Sequence, residues 1–139
     1  MDAKTPFTYT IATEKGFKQV LADLIAKVYD KGFRVVMVHD LQGILVQKHH
    51  KITPCKIVEI CNEDYDYHIF TTNPLLSLLM PCKILVQADE AQTRVSSMRA
   101  SVFAPLIAGT ELLPLFTKID REIKQIIEEA TRGIPGEKE

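Results

Sequence analysis

The three cysteines of this 139-residue chain, Cys55, Cys61 and Cys82, are the side chains with the widest chemical range. A thiol pair can exchange disulfides, carry a persulfide or bind a soft metal. Two of the three have neighbours that fix the backbone, Asn62 after Cys61 and Pro81 before Cys82. Cys55 and Cys61 bracket the β-prone run Cys55-Lys56-Ile57-Val58-Glu59-Ile60-Cys61. At about 3.3 Å per residue that run holds them roughly 20 Å apart, far beyond the ~7 Å Cα separation a disulfide spans. Cys82 comes beside Cys61 if its strand runs antiparallel to this one, and beside Cys55 after a parallel crossover. Helical amides following Asn62 lower the Cys61 pKa, whereas Glu59, Glu63, Asp64 and Asp66 raise it. The plainer reading is a pair of small apolar residues buried at strand ends, where free cysteines most often lie.

Other polar constellations carry less. Asp64 and His68 stand at i, i+4 on a predicted helix and could share a metal with Cys61 or Cys82. A solvated acid–histidine pair explains the same spacing more simply, so no metal site is assigned. His49-His50 are adjacent, diverge in direction and read as surface loop. His39-Asp40 ends a strand with its side chains on opposite faces, and Asp40 is better suited to cap the following turn than to orient His39. No G-x-S-x-G, P-loop or G-x-G-x-x-G is present, so hydrolase, nucleotide-triphosphatase and dinucleotide chemistries have no motif behind them. The expectation is a protein without a catalytic motif and with no cofactor.

These residues need a scaffold, and periodicity supplies one. Phe7-Thr8-Tyr9-Thr10-Ile11 alternates as a half-buried strand with Phe7, Tyr9 and Ile11 inward. Thr13 is the expected cap of a helix whose Phe17, Val20, Leu21, Leu24, Ile25 and Val28 form one apolar stripe, with Gly32 as its left-handed stop. Arg34 to His39 is apolar at nearly every position, which predicts a strand covered on both faces. A short helix is expected within Leu41 to His50. The strand Cys55–Cys61 follows Pro54, then Asn62 caps a helix to about Phe70, which Asn73-Pro74 breaks. Pro74 to Val86 reads as core material around a turn. Lys83 to Ala88 and Thr93 to Met98 form a hairpin about Asp89-Glu90-Ala91-Gln92. Val102 to Ile107 is an apolar excursion closed by Gly109. Pro114 opens a terminal helix whose Phe116, Ile119, Ile123, Ile126, Ile127 and Ala130 share a stripe, ended by Gly133 and Pro135. The charges Lys118, Arg121 and Lys124 on that helix are matched by acids and describe a solvated face.

Composition bounds the partners. Seventeen Lys+Arg against 18 Asp+Glu give a net charge of -1, no field to concentrate nucleic acid or anionic lipid. No apolar run reaches the ~18 residues of a membrane span, and the N-terminus lacks a signal-peptide core. Three cysteines without C-x-x-C spacing point to reduced thiols. A cytoplasmic protein is expected, as one domain over 1–139 with a core from 6 to 132 and a frayed tail from 133 to 139. A chain of this length needs no disulfide or metal to fold.

Lys31-Gly32-Phe33, His39-Asp40, Ile60-Cys61-Asn62, and Asn73-Pro74 followed by Leu78-Leu79-Met80-Pro81-Cys82 resemble the bacterial and archaeal family known as domain of unknown function 302, from about Phe7 to Arg132. The chain departs from that pattern at Glu63, where proline is frequent, and in Gln47 to Thr53, where His49-His50 replaces a Lys-x-Gly-like turn. The resemblance implies an α+β domain similar to the TATA-binding-protein-like arrangement, with antiparallel strands, a closing C-terminal helix and a homodimer, and it implies no activity. It favours antiparallel pairing, hence Cys61 near Cys82 beside a helix N-terminus. The expected site is a small-molecule cleft near Cys61, Asn62, Pro81 and Cys82. The alternative is a redox or persulfide-handling protein using Cys61 and Cys82.

Overall fold

Five β-prone runs pair into one sheet, and the two helices with the longest apolar stripes cover one of its faces. The computed structural model describes residues 6–133. Along the chain come β1 (Thr8–Thr13), α1 (Phe17–Asp30), β2 (Arg34–Asp40), α2 (Leu41–Val46), β3 (Cys55–Cys61) and α3 (Glu63–Thr72). A 3-10 helix (Pro74–Leu79), β4 (Cys82–Ala88), β5 (Thr93–Met98), α4 (Ala100–Ala108) and α5 (Leu113–Thr131) complete it. The sheet order is β1-β5-β4-β3-β2, with every neighbouring pair antiparallel. The fold is therefore α+β: β2 to β5 form a meander, and α1 carries the chain from one edge of the sheet to the other before it begins.

That crossover decides the environment of β2. Its apolar run predicted cover on both faces, yet β2 is an edge strand, with Val36, Met37 and Val38 exposed by 45%, 51% and 36%. Hydrophobicity alone does not distinguish a central strand from an edge strand that carries an apolar surface. The register also shifts between Val35 and Met37, a bulge of the kind frequent at sheet edges.

The core lies between sheet and helices. Val20, Leu24 and Val28 of α1 and Phe116, Ile119, Ile123, Ile126 and Ile127 of α5 meet Val58, Ile60, Ile84, Val86 and Val95 of the strands. Each such side chain contributes roughly 1.5–3 kcal/mol on burial. The opposite face carries the cross-strand row Thr10, Ser96, Leu85, Ile57 and His39, all half-buried.

Several local expectations change. Phe7 precedes the first strand and is 48% exposed, its ring 5.8 Å from that of Phe103. Gly16, not Thr13, is the residue before α1. Thr13 ends β1, and its hydroxyl accepts from the Lys15 amide at 3.2 Å and donates to the Thr131 carbonyl at 3.0 Å. The segment after Asn73-Pro74 is a 3-10 helix rather than a bare turn, with Asn73 accepting from Leu75 N–H at 3.0 Å. The excursion after β5 is a helix, α4, stopped at Gly109 with φ +80°, a conformation glycine adopts without strain. Pro135 and the expected frayed tail beyond Gly133 lie outside the described residues. Among those residues, no helix is long and apolar enough to cross a membrane.

Candidate functional site

Cys61 is the last residue of β3, and the chain turns there into α3. Asn62 makes the turn: its Oδ1 accepts from Tyr65 N–H at 3.1 Å, the N-cap bond its sequence position predicts. Its Nδ2 donates to the Gly32 carbonyl at 3.3 Å. The Asn62 amide is thus engaged in joining α3 to the turn between α1 and β2. Beside it, Arg34 pairs with Glu63 on the surface, and this pairing holds the Glu63 carboxyl below its ordinary range.

Cys82 opens β4 after the cis Met80–Pro81 peptide. Antiparallel pairing brings it to the Cys61 end of the sheet, but in register with Ile60. Cross-strand partners share a face and successive residues alternate. Cys82 therefore points with Ile60 into the helix-covered core, and Cys61 points to the other side. The two thiols share an end of the sheet without facing each other.

Pro81 stands between two hollows. One, of about 390 Å³, is lined by Cys61 with Val36, Asp66, Phe70, Ser77 and Met80. The other, of about 300 Å³, is walled by Cys82, Leu78, Leu79, Leu85, Ile57 and Met98, and its floor reaches Ala100 and Ile123. The second is mainly apolar and falls at the small end of the ~300–1,000 Å³ range of ligand sites.

The electrostatics disfavour thiolates. Burial pushes the Cys82 thiol up to about 12, with Asp66 and Asp120 adding to the shift. Its Sγ lies 3.8 Å from the Met80 sulfur. Cys61 is raised chiefly by burial; the nearby Arg34 opposes this, and Glu63 and Asp66 reinforce it. Neither influence expected at Cys61 sets the direction: burial does, and of the expected acids Glu63 and Asp66 add to it. Cys55, at the far end of β3, is raised by burial and by Asp40. All three are free thiols.

A family model described as "Domain of unknown function DUF302" matches residues 9–130. The chain belongs to the DUF302 family. A crystal structure of an uncharacterized conserved DUF302 protein from Bacillus stearothermophilus superposes with a TM-score of 0.86 at 20% identity, covering 92% of this chain and 100% of that one. At that identity the likeness is one of fold. No curated protein matches the chain significantly.

Elsewhere in this DUF302 domain, Asp40 caps α2 by accepting from Gly43 N–H at 3.1 Å. His39 instead points its Nε2 at Glu59 Oε1, 3.3 Å away, with Lys83 Nζ 3.7 Å from the other oxygen. Asp64 and His68 are exposed, as are His49 and His50. No group of three or more His, Cys, Asp or Glu among the described residues is arranged to hold a metal.

One feature of the domain had no sequence signal that pointed to a site. A polar hollow of about 360 Å³ lies between the end of the β1–β5 pair, the start of α4 and one side of α5. Arg121 and Lys124, read from sequence as part of a solvated face, line it together with Arg99, Tyr9, Thr117 and Asp120. Their i, i+3 spacing on α5 was visible; the strand and loop residues that meet them come from elsewhere in the chain.

Proposed function

We propose that this DUF302 domain is a cytoplasmic small-molecule-binding module, homodimeric and without a cofactor, whose ligand occupies the apolar hollow beside Pro81 and Cys82. The observation that carries the reading is that hollow's lining. Leu78, Leu79, Leu85, Ile57 and Met98 surround about 300 Å³ at the mouth of a packed core. Apolar walls with a few polar groups at the edge are the usual make-up of a small-molecule site. Here Thr8, Lys83, Ser96 and Ser97 are the polar members.

Redox or persulfide exchange between Cys61 and Cys82 is the competing function, and the physical chemistry favours binding. A thiol raised to about 12 is protonated at neutral pH, and the thiolate is the reactive form. The side chains also leave opposite faces of the sheet. In this reading Cys82 is wall material and Asn62 a structural cap.

Calorimetric titration of the full chain with 1-octanol tests the proposal. Saturable binding is expected, weakened about tenfold, or ~1.4 kcal/mol, by Leu78→Asp. Leu78 is 78% exposed at the rim, so that variant keeps the core intact. Absence of binding, or binding indifferent to Leu78→Asp, overturns the proposal.

A further inference from the structure

We propose that the ligand of the apolar hollow carries an anionic group, and that the neighbouring polar hollow on α5 is where that group is held. This rests on the binding reading above and extends it to a ligand class, an amphipathic anion such as a carboxylate with a short alkyl or aryl body.

The first support is charge. Arg99, Arg121 and Lys124 line the polar hollow against the single carboxylate of Asp120, an excess of two positive charges in a chain of net charge -1. Asp120 is already engaged. Its Oδ1 accepts from Ala100 N–H at 3.0 Å, and its Oδ2 accepts from Ser101 N–H at 3.0 Å and from the Ser101 hydroxyl at 2.5 Å. Its charge answers the start of α4. None of the three cations forms an ion pair among the described residues. Arg99 donates to the Pro6 carbonyl at 3.2 Å, and the Lys124 ammonium lies 5.4 Å from the centre of the Tyr9 ring. Unpaired cations around a concavity focus a positive potential within it.

The second support is chemistry of a different kind, a hydroxyl. Thr117 stands among the cations in the same wall, and a hydroxyl beside guanidinium and ammonium groups adds to the donor set that a carboxylate or phosphate accepts from.

The third support is position. Thr8, Ser97 and Met98 line both hollows, so the end of β5 is a wall common to the cationic and the apolar space. Met98 is 45% exposed, and its unbranched side chain has the rotamer freedom to reshape that wall. A molecule seated against Leu78 and Leu85 has Lys83 in its own wall, but that ammonium pairs with Glu59 at 3.7 Å; the cations that form no ion pair lie across this ridge.

Octanoate and 1-octanol separate the two layers of the proposal, since they share an apolar body and differ in charge. Both are titrated calorimetrically into the full chain and into the Arg121→Gln/Lys124→Gln variant, whose substitutions are exposed on α5. Octanoate is expected to bind the natural chain at least tenfold more tightly than octanol. The advantage should disappear in the variant and shrink with added salt, while octanol affinity stays unchanged. Equal affinities for the two probes, or an octanoate advantage that survives the double substitution, overturn the anion assignment and leave the apolar site standing. Failure of both probes to bind overturns the binding reading itself and this inference with it.

Discussion

The Lys15 ammonium donates to the Ala130 carbonyl at 2.9 Å, clamping the loop before α1 to the last turn of α5. It donates also to the Arg132 carbonyl at 2.9 Å and pairs with Asp23 of α1, while Lys15 as a whole is only 4% exposed. A cation there satisfies carbonyls that a helix end leaves without partners and complements its dipole. Lys15→Met keeps the apolar stem but abandons those carbonyls and the Asp23 carboxylate. A loss of about 3 kcal/mol is expected, the scale for breaking one side of a buried pair. Urea denaturation measures it, and Lys15→Met/Asp23→Leu should recover part of the loss because the carboxylate that Lys15 answers is removed with it.

The thiols should behave as wall and core material. With iodoacetamide on native protein at pH 7.5, half-buried Cys55 is expected to be alkylated first. Cys61 should follow slowly, and Cys82, raised to about 12 by burial, only after unfolding. Mild oxidation should yield no Cys61–Cys82 disulfide, because their side chains leave opposite faces of the sheet. Mass spectrometry of peptides reads both results. Rapid formation of that disulfide would return thiol exchange to first place.

What was legible in the sequence was local. The stripes of α1 and α5, the cap at Asn62, the cap at Asp40 and the β4–β5 hairpin all depend on residues within a few positions of each other. The placement of β2 at an edge depends on where α1 delivers the chain, and Val35-Val36-Met37-Val38 looks the same in either location. The thiol geometry turned on a single step of register: pairing with Ile60 rather than Cys61 reverses the face Cys82 occupies. The polar hollow joins Tyr9, Arg99 and Arg121 across most of the chain, a convergence no spacing encodes.

The β4–β5 turn should give an acid-dependent share of stability. Asp89 Oδ1 accepts from the backbone N–H of Ala91 at 2.9 Å and of Gln92 at 2.8 Å, and its Oδ2 from Arg94 at 2.6 Å. Those backbone bonds, then the Arg94 hydrogen bond, hold its pKa down at about 2. The unfolded chain titrates the same group near ~3.9, so between the two values the unfolded state binds more protons. The stabilisation is therefore complete above about pH 4 and disappears as the pH falls through about 2. Asp89→Ala should be less stable than the natural chain at pH 7, and the gap should narrow across that acid window. Denaturation of both proteins from pH 7 to pH 2 checks it; a gap independent of pH would assign the turn's contribution to packing alone.

The edge strand β2 is where the proposed homodimer is most economically built. Sheet edges in monomers are commonly blunted by lysine or proline, yet Val36, Met37 and Val38 occupy the middle of β2 with large exposed areas, and Tyr29 beside them is 55% exposed. The Tyr29 hydroxyl accepts from Val35 N–H at 3.4 Å, which leaves the apolar run beyond Val35 as the open stretch of the edge. Pairing with β2 of a second copy would extend the sheet and cover these side chains together. Light scattering after gel filtration should then give twice the 15.7 kDa chain mass. Met37→Lys should return it to one chain, with a melting temperature that no longer rises with protein concentration. Leu106→Lys, at a side chain 79% exposed on α4, should leave the dimer intact. If Leu106→Lys dissociates the dimer and Met37→Lys does not, the interface lies on α4, and the exposed apolar edge of β2 needs a different partner.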